Sequence, residues 1–147
     1  MEDAEMITSY YELLEALKEC ALEEPNINQA GSKNILELNS LPNIKYDVFY
    51  ITPNQHKWND ETLVFSLNLY FISRWDESDN NQQVIHSRGI TKLMNIVNRF
   101  SEDNPEVGVN TGTFTLFYQK FKDMTAGVYL TVEFSIPSLL CAYETEY

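Results

Sequence analysis

The side chains best suited to acid–base chemistry are few in this chain and lie far apart. Among its 147 residues there are two histidines, His56 and His86. His56 lies in a polar stretch beside Trp58, as in a surface loop, and His86 lies at the first turn of a predicted helix. Neither belongs to a nucleophile–base motif, although the members of a triad assemble in space and need not be neighbours in sequence. With no paired acid and base, the sequence predicts that the chain is not an enzyme.

Metal and cofactor motifs are also missing from the sequence. Cys20 and Cys141 do not have the C-x-x-C spacing of zinc or redox sites, and both lie among apolar residues, as small hydrophobic side chains do. The acidic run 76–81 resembles the start of a calcium loop, but Asn81 replaces the glycine at position six and Ser87 the glutamate at position twelve. None of the five glycines forms a phosphate-binding loop. We therefore predict no catalytic, metal or cofactor site.

The charge of the chain is strongly negative, with 22 acidic and 10 basic residues and a formal net charge of −12. A protein that holds nucleic acid by its phosphates needs a basic face, which this composition does not favour. The ordinary interpretation of the charge is solubility, and the sharper one is a surface that DNA passes without sticking. In the sharper interpretation, four glutamates at helical spacing would line the lumen through which DNA passes. They are Glu12, Glu15, Glu19 and Glu23.

Length and composition limit the architecture. A chain of this length is expected to form one domain with a sizeable core. Two cysteines among apolar residues favour a reducing compartment over a disulfide framework. No apolar run approaches the roughly 18 residues of a membrane span, and residues 1–6 carry three acids and no base, which argues against a targeting peptide.

Two amphipathic helices are predicted. Ser9 and Glu12 have the spacing of a capping box, apolar residues recur at helical spacing after them, and Pro25 ends this first helix. The second helix is predicted over 84–100, after a cap at Asp79. Gly89 lies inside it at a cost of about 1 kcal/mol relative to alanine, which indicates close packing against a sheet.

Each predicted helix is followed by a pair of predicted strands. Residues 46–52 are predicted to pair with 62–74 across a polar loop at 53–61, and residues 112–122 with 127–137. The stretch 26–42 is ambiguous and leaves open a short edge strand at 34–38. The order α–(β)–β–β–α–β–β predicts an α+β fold, in which a mostly antiparallel sheet of four or five strands packs on two helices. Residues 1–137 would form this domain and 138–147 a C-terminal tail.

The predicted strands are apolar on both faces, whereas two helices can cover only one face of a sheet. We therefore expect the second face to contact another copy of the chain. Rings join unlike patches of neighbouring copies, so the second face together with one further region would form one patch and another region would form the other. The first region is the tail, with Leu139, Leu140 and Tyr143, and the second is the polar loop, with His56 and Trp58.

The chain resembles the tail-terminator and head–tail neck (connector) proteins of tailed bacteriophages. The similar stretches are residues 10–19, 46–53, 62–100 and 113–136, and the strand-to-helix junction that begins at Trp75 and Asp76 is the most similar. Residues 26–42 and 138–147 do not match that pattern. The richness in Asn, Ile, Lys and Tyr also resembles proteins of phages that infect gut Bacteroidetes, including the crAss-like group.

The resemblance implies a structural virion protein that forms a sixfold or twelvefold ring at the head–tail junction. Such a ring is assembled in the bacterial host cytoplasm, contacts portal or connector and tail proteins, ends tail-tube growth and lets DNA pass without specific binding. It needs no cofactor, membrane or catalytic residue.

Two other classes remain open. The chain is also compatible with a small acidic bacterial binding module, monomeric or dimeric, that recognises a peptide or small ligand. An acidic mimic of DNA is allowed by the charge but is not required by the apolar strands. The native mass separates these classes, because six or twelve copies favour the ring and one or two favour the module.

Overall fold

The computed structural model describes residues 6–32, 47–74, 82–118 and 125–137, which form an α+β fold of two helices and one five-stranded sheet. The sheet order is β1-β2-β3-β5-β4, with β1 parallel to β2 and all other pairs antiparallel. This confirms the predicted fold class. The elements are α1 (Tyr10–Glu23), β1 (Gln29–Gly31), β2 (Val48–Asn59), β3 (Thr62–Arg74), α2 (Gln82–Asp103), β4 (Gly108–Tyr118) and β5 (Thr125–Pro137).

Helix α1 begins at the predicted cap. The Ser9 hydroxyl accepts a hydrogen bond from the Glu12 amide at 3.2 Å. The Glu12 carboxylate accepts from the amide of Thr8 at 2.9 Å, one residue before the position that a standard capping box uses. The helix ends at Glu23, before Pro25, as predicted.

Helix α2 is longer than predicted and lies close to the sheet at Gly89. A Cβ atom at this position would lie 2.6 Å from Val128 Cγ1 and 2.7 Å from Phe71 Cδ2. Since real Cβ atoms do not approach other atoms so closely, only glycine allows this contact without a shift of the helix or the core. The sequence-based interpretation of Gly89 is confirmed. The proposed cap Asp79 lies outside the described residues.

The prediction of a polar loop at 53–61 is wrong. Strand β2 continues to Asn59, and only Asp60 and Glu61 join it to β3. Proline is tolerated at position 53 because β1 pairs with β2 only up to Tyr50, so in the described part of the chain the outer edge of β2 has no partner beyond that point. An irregularity in the register between Pro53 and His56 marks a β-bulge.

Both helices pack on the same face of the sheet, where the main core lies. One row of β3 side chains lies in this core, where Leu67, Leu69 and Phe71 have no exposed surface. The inward row of β5 is buried as well, from Ala126 to Ile136.

The opposite face of the sheet differs from the expectation. A second cluster of Val48, Tyr50, Ile72 and Phe117 is buried there, with Tyr70 and Tyr129 packed against it. The expectation of an uncovered apolar face is wrong for this half of the sheet. The other half of the face carries polar side chains, and Thr131 donates a hydrogen bond to Asn68 at 2.8 Å.

The C-terminal strand pair is present, and β4 begins at Gly108, four residues before the prediction. The possible strand at 34–38 and the tail 138–147 lie outside the described residues, whereas β1 supplies a short edge strand at 29–31.

Candidate functional site

The four glutamates predicted to face a lumen line one groove along α1. This groove has a volume of about 360 Å³ and passes between α1 and the C-terminal end of α2, where Asp103 and Asn104 complete it. Met6 and Tyr11 are exposed at its rim, at 50% and 70%. The structure therefore brings Glu12, Glu15, Glu19 and Glu23 onto a single surface.

Most of these carboxylates already have partners. Glu12 accepts hydrogen bonds from the amide and the hydroxyl of Thr8, at 2.9 and 3.0 Å. Glu15 forms an ion pair of 2.8 Å with Lys18, and Glu23 one of 3.7 Å with Arg99. Because the side chain of Glu23 is 65% exposed, its pair is weak and leaves the surface negative.

A buried carboxylate joins the two helices behind this groove. Glu24, which is 5% exposed, accepts hydrogen bonds from Arg99 at 3.2 Å and from Asn95 at 3.0 Å, and lies 3.6 Å from Lys92. Lys92 also donates to the carbonyl of Pro25. Three donors from α2 thus compensate for the burial of one charge. We therefore assign this network a structural role in holding the two helices together.

His56 and Trp58, both predicted to lie in a loop, lie instead in strand β2. The centroid of the His56 ring lies 4.9 Å from that of Tyr10 and 5.3 Å from that of Phe65. The contact with Tyr10 packs strand β2 against the start of α1. Trp58 is 72% exposed and keeps its apolar surface available for a contact.

The other groups that could do chemistry are held in structural roles. His86 Nε2 lies 3.0 Å from the carbonyl oxygen of Phe117, a contact that ties α2 to β4. Cys20 is buried in the core, and burial, reinforced by nearby Asp103 and Glu23, raises the pKa of its thiol to about 11. Within the described residues no set of three or more His, Cys, Asp or Glu side chains could hold a metal ion. Neither described helix is long and apolar enough to cross a membrane.

Strand β4 is the open edge of the sheet in the described part of the chain. Its eleven residues, GVNTGTFTLFY, contain no charged residue and no proline. Positions 110–113 and Thr115 are exposed, and Leu116 is 52% exposed. A long, uncharged edge strand presents amide and carbonyl groups that another strand can pair with.

A shallow groove runs beside this edge, and its apolar lining is interrupted by Asn98, Thr111 and Gly112. It has a volume of about 280 Å³ and lies between α2, which supplies Met94 and Val97, and β4, which supplies Phe114. Leu130 of β5 also lines it. Met94 is 49% exposed, so an added strand at this edge would gain apolar contacts as well as backbone hydrogen bonds.

The open stretch of β2, at the other side of the sheet, is protected against pairing. It contains Pro53, the bulge between Pro53 and His56, and Lys57. Proline, bulges and lysine are the devices by which natural sheets prevent edge-to-edge association. In β4 the only such device is the irregularity between Thr111 and Phe114. The two edges therefore differ in their capacity to accept a strand.

The open edge was not predicted, because a strand order cannot be read from two hairpins that look alike. The one signal available was the composition of residues 108–118, which lack any charge in a chain where 22% of residues are charged. Leu139, Leu140 and Tyr143 lie outside the described residues.

Comparison with protein-family models finds no match for this chain, and comparison with curated protein sequences finds none either.

Proposed function

We propose that this chain is a structural subunit of a homo-oligomeric ring and that the edge of β4 is where neighbouring copies meet. The observation that carries the proposal is the contrast between the two sheet edges. One is uncharged and flanked by a partly apolar groove without charged residues, whereas the other is interrupted by a proline, a bulge and a lysine. In a ring one patch of each copy meets a different patch of the next, and the edge of β4 would be one of these two patches.

The distribution of charge supports the same contact. Copies that each carry a net charge of −12 repel one another, most strongly where acidic surfaces approach. The edge of β4 and its groove contain no charged side chain, so a surface of a neighbouring copy can approach this edge with little local repulsion. The acidic groove of α1 is then left to face either solvent or a central passage.

For the place of the ring, we propose the head–tail junction of a tailed phage particle, with portal, connector and tail proteins as partners. The order of elements, with a helix before each strand pair, supports this assignment through its resemblance to tail-terminator and neck proteins. The groove lined by four glutamates would repel the phosphates of passing DNA and prevent it from sticking. No catalytic step is part of this role.

Native mass spectrometry and negative-stain imaging of the purified protein test this proposal. We expect closed annular particles of six or twelve copies. Leu116→Asp places a charge on the edge and should abolish them, whereas Val84→Asp makes the same change at an exposed position of α2 and should not. A chain that stays monomeric at high concentration, or particles that survive Leu116→Asp, would refute the role of β4.

The second candidate is a binding module that accepts a peptide of another protein at the same edge. The groove beside β4 favours it, because strand addition obtains affinity from the backbone and specificity from side-chain pockets. A stable monomer whose β4 amides become protected only when a partner protein is added would support this alternative.

A further inference from the structure

We infer that Trp58 of one copy inserts into the groove between α2 and β4 of the next copy, so that opposite edges of the sheet meet in the assembly. This inference rests on the proposed function and names the patch that contacts β4. In a ring each copy provides two unlike patches. Trp58 is the donor of this contact, and the groove lined by Met94, Val97 and Phe114 is the acceptor.

The sheet order places donor and acceptor on opposite sides of the subunit. Strands β3 and β5 separate β2 from β4, so these two strands lie about 14 Å apart. Strand β1 pairs with β2 only from Val48 to Tyr50, so β2 is the outermost described strand at Trp58. Because the two patches lie at opposite edges, one copy can contact a different neighbour through each patch.

Trp58 and the groove also lie on the same face of the sheet. Trp58 pairs with Leu63, which packs against the main core under the helices, and directly paired residues share a face. The groove is lined by α2 and by Phe114, which packs against the same core. A copy that approaches edge to edge with its sheet faces aligned therefore brings Trp58 to the side on which the groove opens.

The chemistry of the indole ring fits the acceptor. Trp58 is 72% exposed, and a tryptophan side chain buries about 150–250 Å² when it is covered. The groove, with a volume of about 280 Å³, has room for one indole ring and offers the thioether of Met94, which makes favourable contacts with aromatic rings. A buried indole N–H needs an acceptor, and the open edge of β4 presents backbone carbonyl groups.

The distribution of charge favours a second copy as the occupant. Strand β2 contains one lysine, Lys57, and no acid, and Asp60 and Glu61 lie in the turn beyond its end. The residues that line the groove are uncharged, and the chain that carries them has a net charge of −12. A lysine beside the donor is therefore attracted to the negative field of a neighbouring copy.

The contact uses the side chain of Trp58 and not the backbone of β2. Pro53 and the bulge that follows it keep this edge from pairing with another strand. The indole ring covers the backbone of β4 in the partner, while its own backbone stays one side-chain length away. The open amides of β4 should therefore become protected in the assembly, whereas those of β2 keep their access to water.

Photo-crosslinking in solution tests this inference. Trp58 is replaced by p-benzoylphenylalanine, which keeps an aromatic ring at this position, and this unlabelled chain is mixed with wild-type chain labelled with nitrogen-15. We expect crosslinks from position 58 to the groove of the labelled chain, above all to Met94. The same replacement at Tyr11, which is 70% exposed on α1, is the matched control and should give no crosslink to the groove. Crosslinks from position 58 only within one chain, or only to other surfaces, would overturn the inference.

Two defective chains test whether donor and acceptor face each other. A Trp58→Asp chain lacks the donor but keeps the groove, whereas a Leu116→Asp chain keeps Trp58 and carries a charge at the acceptor edge. Each chain alone should be monomeric, and an equal mixture at high concentration should form one-to-one dimers in native mass spectrometry. A mixture that stays as monomeric as its components would show that Trp58 does not meet β4.

The loss of the indole ring should weaken association without unfolding the chain. Trp58→Ala should raise the dissociation constant about thirtyfold, as for a buried tryptophan at the centre of an interface. Tyr11→Ala removes a similarly exposed aromatic ring and should change the constant less than about twofold. Sedimentation measures both constants, and circular dichroism should be unchanged in both variants. Equal effects of the two substitutions would exclude Trp58 as the donor.

The outcomes separate this inference from the proposed function. Annular particles in which position 58 crosslinks to a surface other than the groove would retain the ring and reject the role of Trp58. Crosslinks from position 58 to the groove in open chains or dimers would retain this contact and reject the ring. A monomer with no inter-chain crosslink would reject both.

Discussion

Glu24 and Arg99 form an ion pair of 3.2 Å although they lie 75 residues apart in the sequence. Glu24 is the C-cap residue of α1 and its side chain is 5% exposed, whereas the guanidinium belongs to a residue of α2. The same Arg99 also donates to the carbonyl of Cys20 at 3.2 Å. This pair holds the two helices against each other beside the acidic groove.

Replacement of Glu24 by alanine should destabilise the protein by about 3 kcal/mol, because the positive charges of Arg99 and Lys92 then have no buried carboxylate to compensate them. Glu23→Ala is the matched control. Its carboxylate lies 3.7 Å from the same Arg99 but is 65% exposed, so the loss should be below about 0.5 kcal/mol. Urea unfolding monitored by circular dichroism measures both changes. Equal losses in the two variants would show that the buried network does not stabilise the helix pair.

Gly89→Ala should destabilise the protein by about 2 kcal/mol, even though alanine is the better helix former. The added methyl group would lie 2.6 Å from Val128 Cγ1 and must displace either α2 or the core. Ser87→Ala, at an exposed position in the same helix, should be neutral or stabilising by about 0.5 kcal/mol. The midpoint of thermal unfolding should therefore fall for Gly89→Ala and stay unchanged or rise slightly for Ser87→Ala. A rise in both midpoints would contradict the close packing of α2 on the sheet.

Cys20 should resist alkylation in the folded protein. Its pKa is raised from 9.0 to about 11 by burial first and by nearby acids second. At pH 8 only about one thiol in a thousand is then the reactive thiolate. In a Cys141→Ser background, iodoacetamide should modify Cys20 rapidly in urea and very slowly without it. Rapid modification of the native protein would show that the core around Cys20 opens.

The same pKa shift predicts how stability depends on pH. Between about pH 9 and 11 the folded chain keeps the Cys20 proton that the unfolded chain loses, so stability falls as pH rises through this range. Burial also raises the pKa values of Tyr10 and Tyr70, which act in the same direction at higher pH. Cys20→Ala should reduce the slope between pH 9 and 11, measured by urea unfolding at several pH values. An unchanged slope would contradict the shift of the thiol.

The features of the fold that the sequence predicted are those that depend on local spacing. Apolar residues at every second position of 62–74 predict a strand in which Leu67, Leu69 and Phe71 share one face, and the structure places that face in the core. The spacing of Glu12, Glu15, Glu19 and Glu23 placed them on one surface of α1. A glycine inside an amphipathic helix indicated the close contact at Gly89. In each case the period of the element alone determines which side chains share a face.

The features that it did not predict depend on neighbours distant in sequence. The strand at 53–59 is polar and contains a proline, which is tolerated because the pairing of β1 with β2 ends at Tyr50 and no other described strand follows it there. The burial of Val48 and Ile72 on the second face depends on a cluster with Phe117 of β4. The exposure of β4 follows from the order β3-β5-β4, which places the later strand of the second hairpin inside the sheet.

Hydrogen–deuterium exchange at increasing protein concentration tests the role of β4 most directly. If copies meet at this edge, the amides of residues 108–118 that do not bond to β5 should become protected as concentration rises, while those of β2 at 54–59 should exchange at a constant rate. Leu116→Asp should remove the concentration dependence, and Val84→Asp should preserve it. Exchange in β4 that is independent of concentration, in a sample whose mass shows association, would contradict the contact at β4.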